Sequence, residues 1–167
     1  MTPGATPART LRIDGPGMAE LVSGLLSTGA SVQLEARGGS MSPWIRDGDV
    51  LTIAPIAAPP REALRRGDVV AFCHPGSDGL VIHRLLLRTA DGWITRGDRC
   101  SEADGAVPNA NLLGPVTGAT RRGRRVRLRQ GLLGLVLARV SRAALVARDR
   151  FRRHWAAGSP PDSDVGH

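Results

Sequence analysis

Lysine is missing from this chain, whose twenty-three basic residues are all arginine. No amine side chain is therefore available to take a proton from a nucleophile, and among the basic residues only histidine can do so near neutral pH. Tyrosine is missing too, and with two Phe and three Trp the core has to be built from Val, Leu, Ile and Ala. A hydrophobic content of 41% over 167 residues is enough for one domain with appendages.

Cysteine is scarce. Cys73 and Cys100 are too few and too far apart for a C-x-x-C redox or zinc pattern. A pair of buried thiols is expected, with a disulfide between them as the alternative. No stretch reaches the roughly eighteen uninterrupted apolar residues that cross a bilayer. The N-terminus carries no charged region followed by an apolar stretch and a cleavage site. The expected location is the cytoplasm or the periphery of a membrane.

Positive charge is abundant. The net charge is +8, and a pI near 11.4 points to contact with a polyanion. Residues 121–153 hold twelve arginines against a single acid, Asp149. Within this segment Leu132, Leu133, Val136, Val140, Ala144, Ala147 and Phe151 recur at a spacing of three or four, as in a basic amphipathic helix. An anionic membrane surface is the partner that 121–155 fits best. A helix packed on the domain with solvated arginines is the plainer alternative. Nucleic acid is not expected, because aromatic interleaving and a recognisable motif are missing.

Upstream, residues 1–15 read as a flexible arm, and Met18–Leu26 as a short amphipathic helix between Gly17 and Gly29. Strands are expected at Ser31–Glu35, Val50–Ile53, Val69–Phe72, Leu80–Leu87, Trp93–Thr95, Leu112–Val116 and Val126–Leu128, with a Pro and Ala linker at Ala57–Pro60. Short strands at this spacing predict a mostly β, antiparallel, barrel-like domain. The expected organisation is an arm at 1–15, a domain at 16–129, the basic helix at 130–156 and a disordered tail at 157–167.

Two segments carry chemistry. In Gly38-Gly39-Ser40-Met41-Ser42-Pro43 a serine follows a strand end and a glycine pair, and Val81-Ile82-His83-Arg84-Leu85 places a histidine in an apolar strand. Each has a plain reading by itself, the first as a strand-terminating turn and the second as a core histidine. Together they pair a hydroxyl with a base that could activate it. His74, followed by Pro75-Gly76, is the competing imidazole and reads as a solvated turn residue.

The ordered blocks Gly38-Gly39-Ser40-Met41-Ser42-Pro43, Gly48-Asp49, Gly67-Asp68-Val69-Val70-Ala71-Phe72, His83-Arg84 and Arg96-Gly97-Asp98 resemble the catalytic domain of the type I signal peptidases and their LexA-like relatives. The resemblance covers about residues 31 to 118 and implies the Ser-His branch of that superfamily. It implies Ser40 as nucleophile, His83 as general base, Asp104 as third member of a triad and Asp98 as an orienting or turn-stabilising group. The roles of the two aspartates are interchangeable at this stage, with Glu102 a weaker candidate. Asp49 and Asp68 are expected to stabilise turns, and Met41 and Trp44 to pack in the core or flank a substrate groove.

Many bacterial signal peptidases carry an oxyanion-binding hydroxyl two residues before the serine, where this chain has Gly38; the oxyanion would then rest on the Ser40 backbone N–H. The implied activity is endoproteolysis of an extended protein segment, an exported precursor or a leader peptide, with no metal or organic cofactor. Family members usually carry a membrane span before the serine, and none is expected in the residues that precede Ser40 here. A non-catalytic peptide-binding or regulatory module is the alternative. A self-cleaving LexA-like regulator fits less well, since such proteins use Lys and carry an N-terminal DNA-binding unit.

Overall fold

The structure, a computed structural model, describes residues 10–11, 17–56, 64–77, 79–140 and 143. The Ala57–Pro60 linker, the 157–167 tail and all of the N-terminal arm except Thr10–Leu11 lie outside these residues.

Among the described residues nine strands form one sheet. They are β1 (Thr10–Leu11), β2 (Val32–Glu35), β3 (Val50–Ile53), β4 (Val69–Cys73), β5 (Leu80–Arg88), β6 (Gly92–Arg96), β7 (Ala106–Pro108), β8 (Leu112–Arg121) and β9 (Arg124–Val126). Their order is β1-β2-β3-β8-β4-β5-β6-β7, with β9 also on β8. Every pairing is antiparallel except β1 with β2, which is parallel.

The antiparallel β architecture is as expected, but the barrel-like closure is not formed. Among the described residues the two ends of the path, β1 and β7, do not pair, so the sheet stays open. Strand spacing predicts strands, whereas closure depends on their tilt and stagger. Here the curvature goes into β8, whose first half pairs with β4 and whose second half pairs with β3. Register shifts at Thr52/Ile53, Ala71/Phe72 and Leu85/Leu87 bend the neighbouring strands.

β4 lies between two cores. Successive side chains of a strand point to opposite faces, so Val69 and Ala71 join one cluster with Leu34, Met41, Leu51 and Val116. Val70 and Phe72 join the other, with Leu85, Trp93 and Val107. A strand covered on both faces reads as an unbroken apolar run, as Val69–Phe72 does. The helix α1 (Met18–Ser27) covers the first cluster with Val22 and Leu26 and also buries Ala19, while Leu21 is 39% exposed.

The helix expected over 130–156 is helical over 131–140 (α2), and most of the rest lies outside the described residues. Its start is fastened to the sheet. The Val69 N–H donates to Gln130 Oε1 at 2.7 Å, while Gln130 Nε2 donates to the Val116 carbonyl.

Candidate active site

His83 stands on β5 opposite Val70 of β4 and projects onto the face of the second core, with its ring 6.3 Å from that of Phe72. Only 8% of the residue is exposed. Its Nδ1 lies 2.7 Å from Asp104 Oδ2. The same oxygen accepts the Thr95 hydroxyl at 2.7 Å, and the Asp104 N–H donates to the Thr95 carbonyl at 2.9 Å. Thr95 thus holds the carboxylate by side chain and main chain together.

Burial opposes ionisation of Asp104. The hydrogen bonds from His83 and Thr95 and the nearby imidazoles of His83 and His74 outweigh it, holding the carboxyl below its ordinary range. An ionised carboxylate can only accept. Nδ1 must therefore carry the proton between them, which leaves Nε2 of the neutral ring as a proton acceptor.

Ser40 reaches the same place from β2. The chain leaves that strand through Ala36, whose N–H donates to the Asp49 carbonyl at 2.7 Å, and turns at Gly38, which sits at φ +79°. The left-handed region admits glycine without strain, and the Gly38 N–H donates to Asp47 Oδ1 at 2.8 Å. Beyond Ser40 the turn is anchored in the first core by Met41 and Ile45.

Underneath, Asp49 ties the turn down. Its carboxylate takes the Arg121 guanidinium at 2.7 Å through both oxygens and the Arg46 N–H at 2.8 Å. Arg121 also donates to the Trp44 carbonyl, and the Arg129 guanidinium lies 5.7 Å from the Trp44 ring centroid. Met41 accordingly packs in the core and Trp44 at its margin. Ser40 itself is half-buried and its two preceding glycines are exposed.

The two branches meet over Gly97. A methyl group at that position would lie 2.8 Å from the Ser40 carbonyl oxygen, 2.9 Å from His83 Nε2 and 2.7 Å from Cys100 Sγ. Only glycine lets the three approach. The Arg99 N–H donates to the Ser40 carbonyl at 2.8 Å, locking the loop after β6 onto the serine turn. Among the described residues no hydrogen bond joins the Ser40 hydroxyl to the ring, and the Ser40 N–H has no acceptor. That N–H is available to an oxyanion.

Asp98, expected as an orienting or turn-stabilising group, pairs with Arg84 and not with His83. It accepts Arg84 Nε at 2.8 Å and Nη2 at 2.7 Å, deep on the opposite face, with Arg84 only 1% exposed. Arg84 also donates to the Gly67 and Arg129 carbonyls. Glu102 is exposed. His74 lies in a turn and accepts the Gly76 N–H at Nδ1, and Asp68 caps another turn by accepting the Arg65 N–H, both as expected.

Two residues were not legible as site residues: Thr95, on the Asp104 carboxylate, and Cys100, against Gly97. Cys73 and Cys100 are free thiols. Burial and the adjacent Asp104 push the Cys100 thiol up, which disfavours the thiolate a cysteine nucleophile needs. No group of three or more His, Cys, Asp or Glu side chains suited to a metal ion occurs among the described residues. None of their helices is long and apolar enough to cross a membrane. Compared with known proteins, the sequence matches no protein-family model and no curated protein.

Proposed function

We propose that this chain is a serine endopeptidase of the signal peptidase and LexA-like type, cleaving an extended segment of a precursor or leader peptide. One observation carries the reading: a largely buried His83–Asp104 pair joined at 2.7 Å, with side chains 10% and 15% exposed, whose free Nε2 converges with the Ser40 turn over Gly97. A core histidine needs no such glycine.

In the reaction Ser40 Oγ attacks the scissile carbonyl while His83 Nε2 takes its proton, and Asp104 supports the resulting imidazolium. The Ser40 N–H receives the developing oxyanion. Collapse breaks the peptide bond, and the imidazolium returns its proton to the leaving amine. Water then enters by the same route in reverse and releases the acyl group. Binding of substrate brings the hydroxyl and ring into line, since such contacts commonly tighten only in the complex.

The β2 edge supports the mode of binding. It already takes an extended segment, Thr10–Leu11, in register with Gln33 and Leu34, and a substrate strand can use the same main-chain donors and acceptors.

The test is labelling by a serine-directed covalent probe of the wild type, Ser40→Ala, His83→Ala and Cys100→Ala. Labelling lost in the first two variants and kept in the third supports the peptidase. Labelling that survives Ser40→Ala and vanishes in Cys100→Ala makes the thiol the nucleophile. A wild type that does not label while binding peptides is the non-catalytic module, the reading that the missing Ser40–His83 hydrogen bond favours.

A further inference from the structure

The face of α2 turned from the sheet is apolar and uncovered. Leu132, Val136 and Val140 follow one another at intervals of four, with Leu133 beside them, and are 66%, 55%, 61% and 59% exposed in that order. Residues so spaced share one side of a helix. Leu135 and Ala138, on the other side, are 6% and 4% exposed. This helix therefore has an inner face that is used and an outer apolar stripe that nothing among the described residues covers.

Cations precede the stripe in sequence and interrupt it on the helix. Arg122, Arg124, Arg125 and Arg127 stand exposed on the β8–β9 hairpin and the segment leading into α2, and Arg139 is exposed on the helix itself. None has a carboxylate partner among the described residues. The chain has no acid between Asp104 and Asp149, so the segment that carries these arginines and the stripe is itself of one sign. A guanidinium is well shaped to grip phosphate oxygens through two hydrogen bonds.

From these observations we infer that α2 docks on an anionic lipid surface, with Leu132, Leu133, Val136 and Val140 entering the acyl boundary and the flanking arginines binding lipid phosphates. Polyanionic nucleic acid would satisfy the arginines but leave the apolar stripe in water. A second copy would cover the stripe but bring two unpaired arginine sets together. A lipid surface satisfies both, since it offers an apolar layer beneath a negative one.

The attachment is rigid where it matters. Arg84, next to His83 on β5, donates to the Arg129 carbonyl just before α2. Gly134 backs so closely onto Arg129 and Arg84 that no side chain fits there. Together with the Gln130 bridge to β4 and β8, these contacts fix the lipid-facing stripe relative to the strand that bears His83. The surface is thus presented in one orientation to the candidate site, whether or not that site is catalytic.

Co-sedimentation of the full chain with large vesicles tests the inference. It is expected to partition onto vesicles of equal parts phosphatidylglycerol and phosphatidylcholine, and far less onto phosphatidylcholine alone, with binding that weakens as salt rises. Leu133→Asp combined with Val136→Asp removes binding by tenfold or more, and Arg122→Glu or Arg125→Glu weakens it by about fivefold each. Leu87→Asp, at another exposed apolar position (58%), leaves it unchanged.

Unchanged thermal melting of the variants keeps the comparison to folded protein. The inference is overturned by a wild type that ignores both vesicles, or by Asp variants that bind as well as it does. It is overturned equally by a dimer in sedimentation velocity that Leu133→Asp with Val136→Asp dissolves. Binding to duplex DNA that these Asp changes leave intact, without vesicle binding, also assigns the arginines elsewhere.

Discussion

His83 and Arg84 are consecutive on β5 and leave the sheet on opposite faces, each taking a carboxylate from the same loop: His83 holds Asp104 and Arg84 holds Asp98. The loop after β6 therefore divides two of its three acids between an imidazole close to the Ser40 turn and a buried guanidinium that braces the start of α2, and leaves Glu102 exposed. Strand alternation enforces the split. Removing either acid should cost something different.

Asp104→Asn is expected to give a folded protein that labels poorly. An amide in place of the carboxylate no longer dictates the proton on Nδ1, and in triads of this kind such a change lowers the rate by on the order of 10³- to 10⁴-fold. Thr95→Val, which deletes a hydrogen bond to the same oxygen, should slow probe labelling by about tenfold, with Thr95→Ser restoring it. Labelling kinetics beside thermal melting decide the matter. Wild-type kinetics in Asp104→Asn would remove Asp104 from the mechanism.

Asp98→Asn, in contrast, should read out as stability. Arg84 is 1% exposed and would be left with an uncompensated charge, for which about 3–5 kcal/mol is typical. In a domain of this size that lowers the melting temperature by on the order of 10 °C. An Asp98→Asn protein that melts with the wild type but fails to label would instead return this residue to the site.

The sequence already carried most of this arrangement, but unevenly. Val50–Ile53 was legible to the residue, since alternation against a single core leaves a clear pattern. β8 was legible only to Val116, because Pro115, Gly114 and Gly118 weaken the strand signal and pairing on both edges overrides it. β7, three residues long with Ala and Pro at its ends, left no pattern at all.

Ser40 and His83 stood out as a hydroxyl after a strand end and an imidazole in an apolar strand, while Asp104 and Asp98 entered through the resemblance, which left their roles interchangeable. That Asp98 belongs to Arg84 was not legible, because it depends on which face the loop after β6 returns to. Thr95 was placed on a strand and still missed as a site residue. Its role follows from facing the same side as His83 across the β5–β6 pair, where Leu85 is its partner.

Gly97→Ala should disable the site from a position that does no chemistry. The added methyl meets the Ser40 carbonyl and His83 Nε2 at 2.8 and 2.9 Å, and Cys100 Sγ at 2.7 Å, and overpacking of this kind costs about 1–3 kcal/mol. Adding Cys100→Ala relieves one contact of the three. The double variant should recover part of the lost melting temperature and none of the labelling, because the ring and the serine turn remain pushed apart. Full recovery of labelling would mean that Gly97 serves only to accommodate the thiol.

Acid should unfold this protein partly through Asp49, whose 1% exposure makes it the most buried carboxylate described. Burial raises its tendency to stay protonated. The hydrogen bonds from Arg121 and the Arg46 N–H, with the charges of both arginines, more than offset this and hold the carboxyl below the usual range. A carboxyl depressed in the folded state contributes stability that is complete above the unfolded value of about 3.9 and drains away as pH falls through the folded one. Asp104 has the same sign. Melting temperature should therefore be flat from pH 7 to about 5 and fall steeply below about 4. Asp49→Asn should start lower, by about 2–3 kcal/mol at pH 7, and lose less on acidification, since one of the groups that must take up a proton is gone. Parallel curves for variant and wild type below pH 4 would show that the Asp49–Arg121 pair has no part in the acid transition.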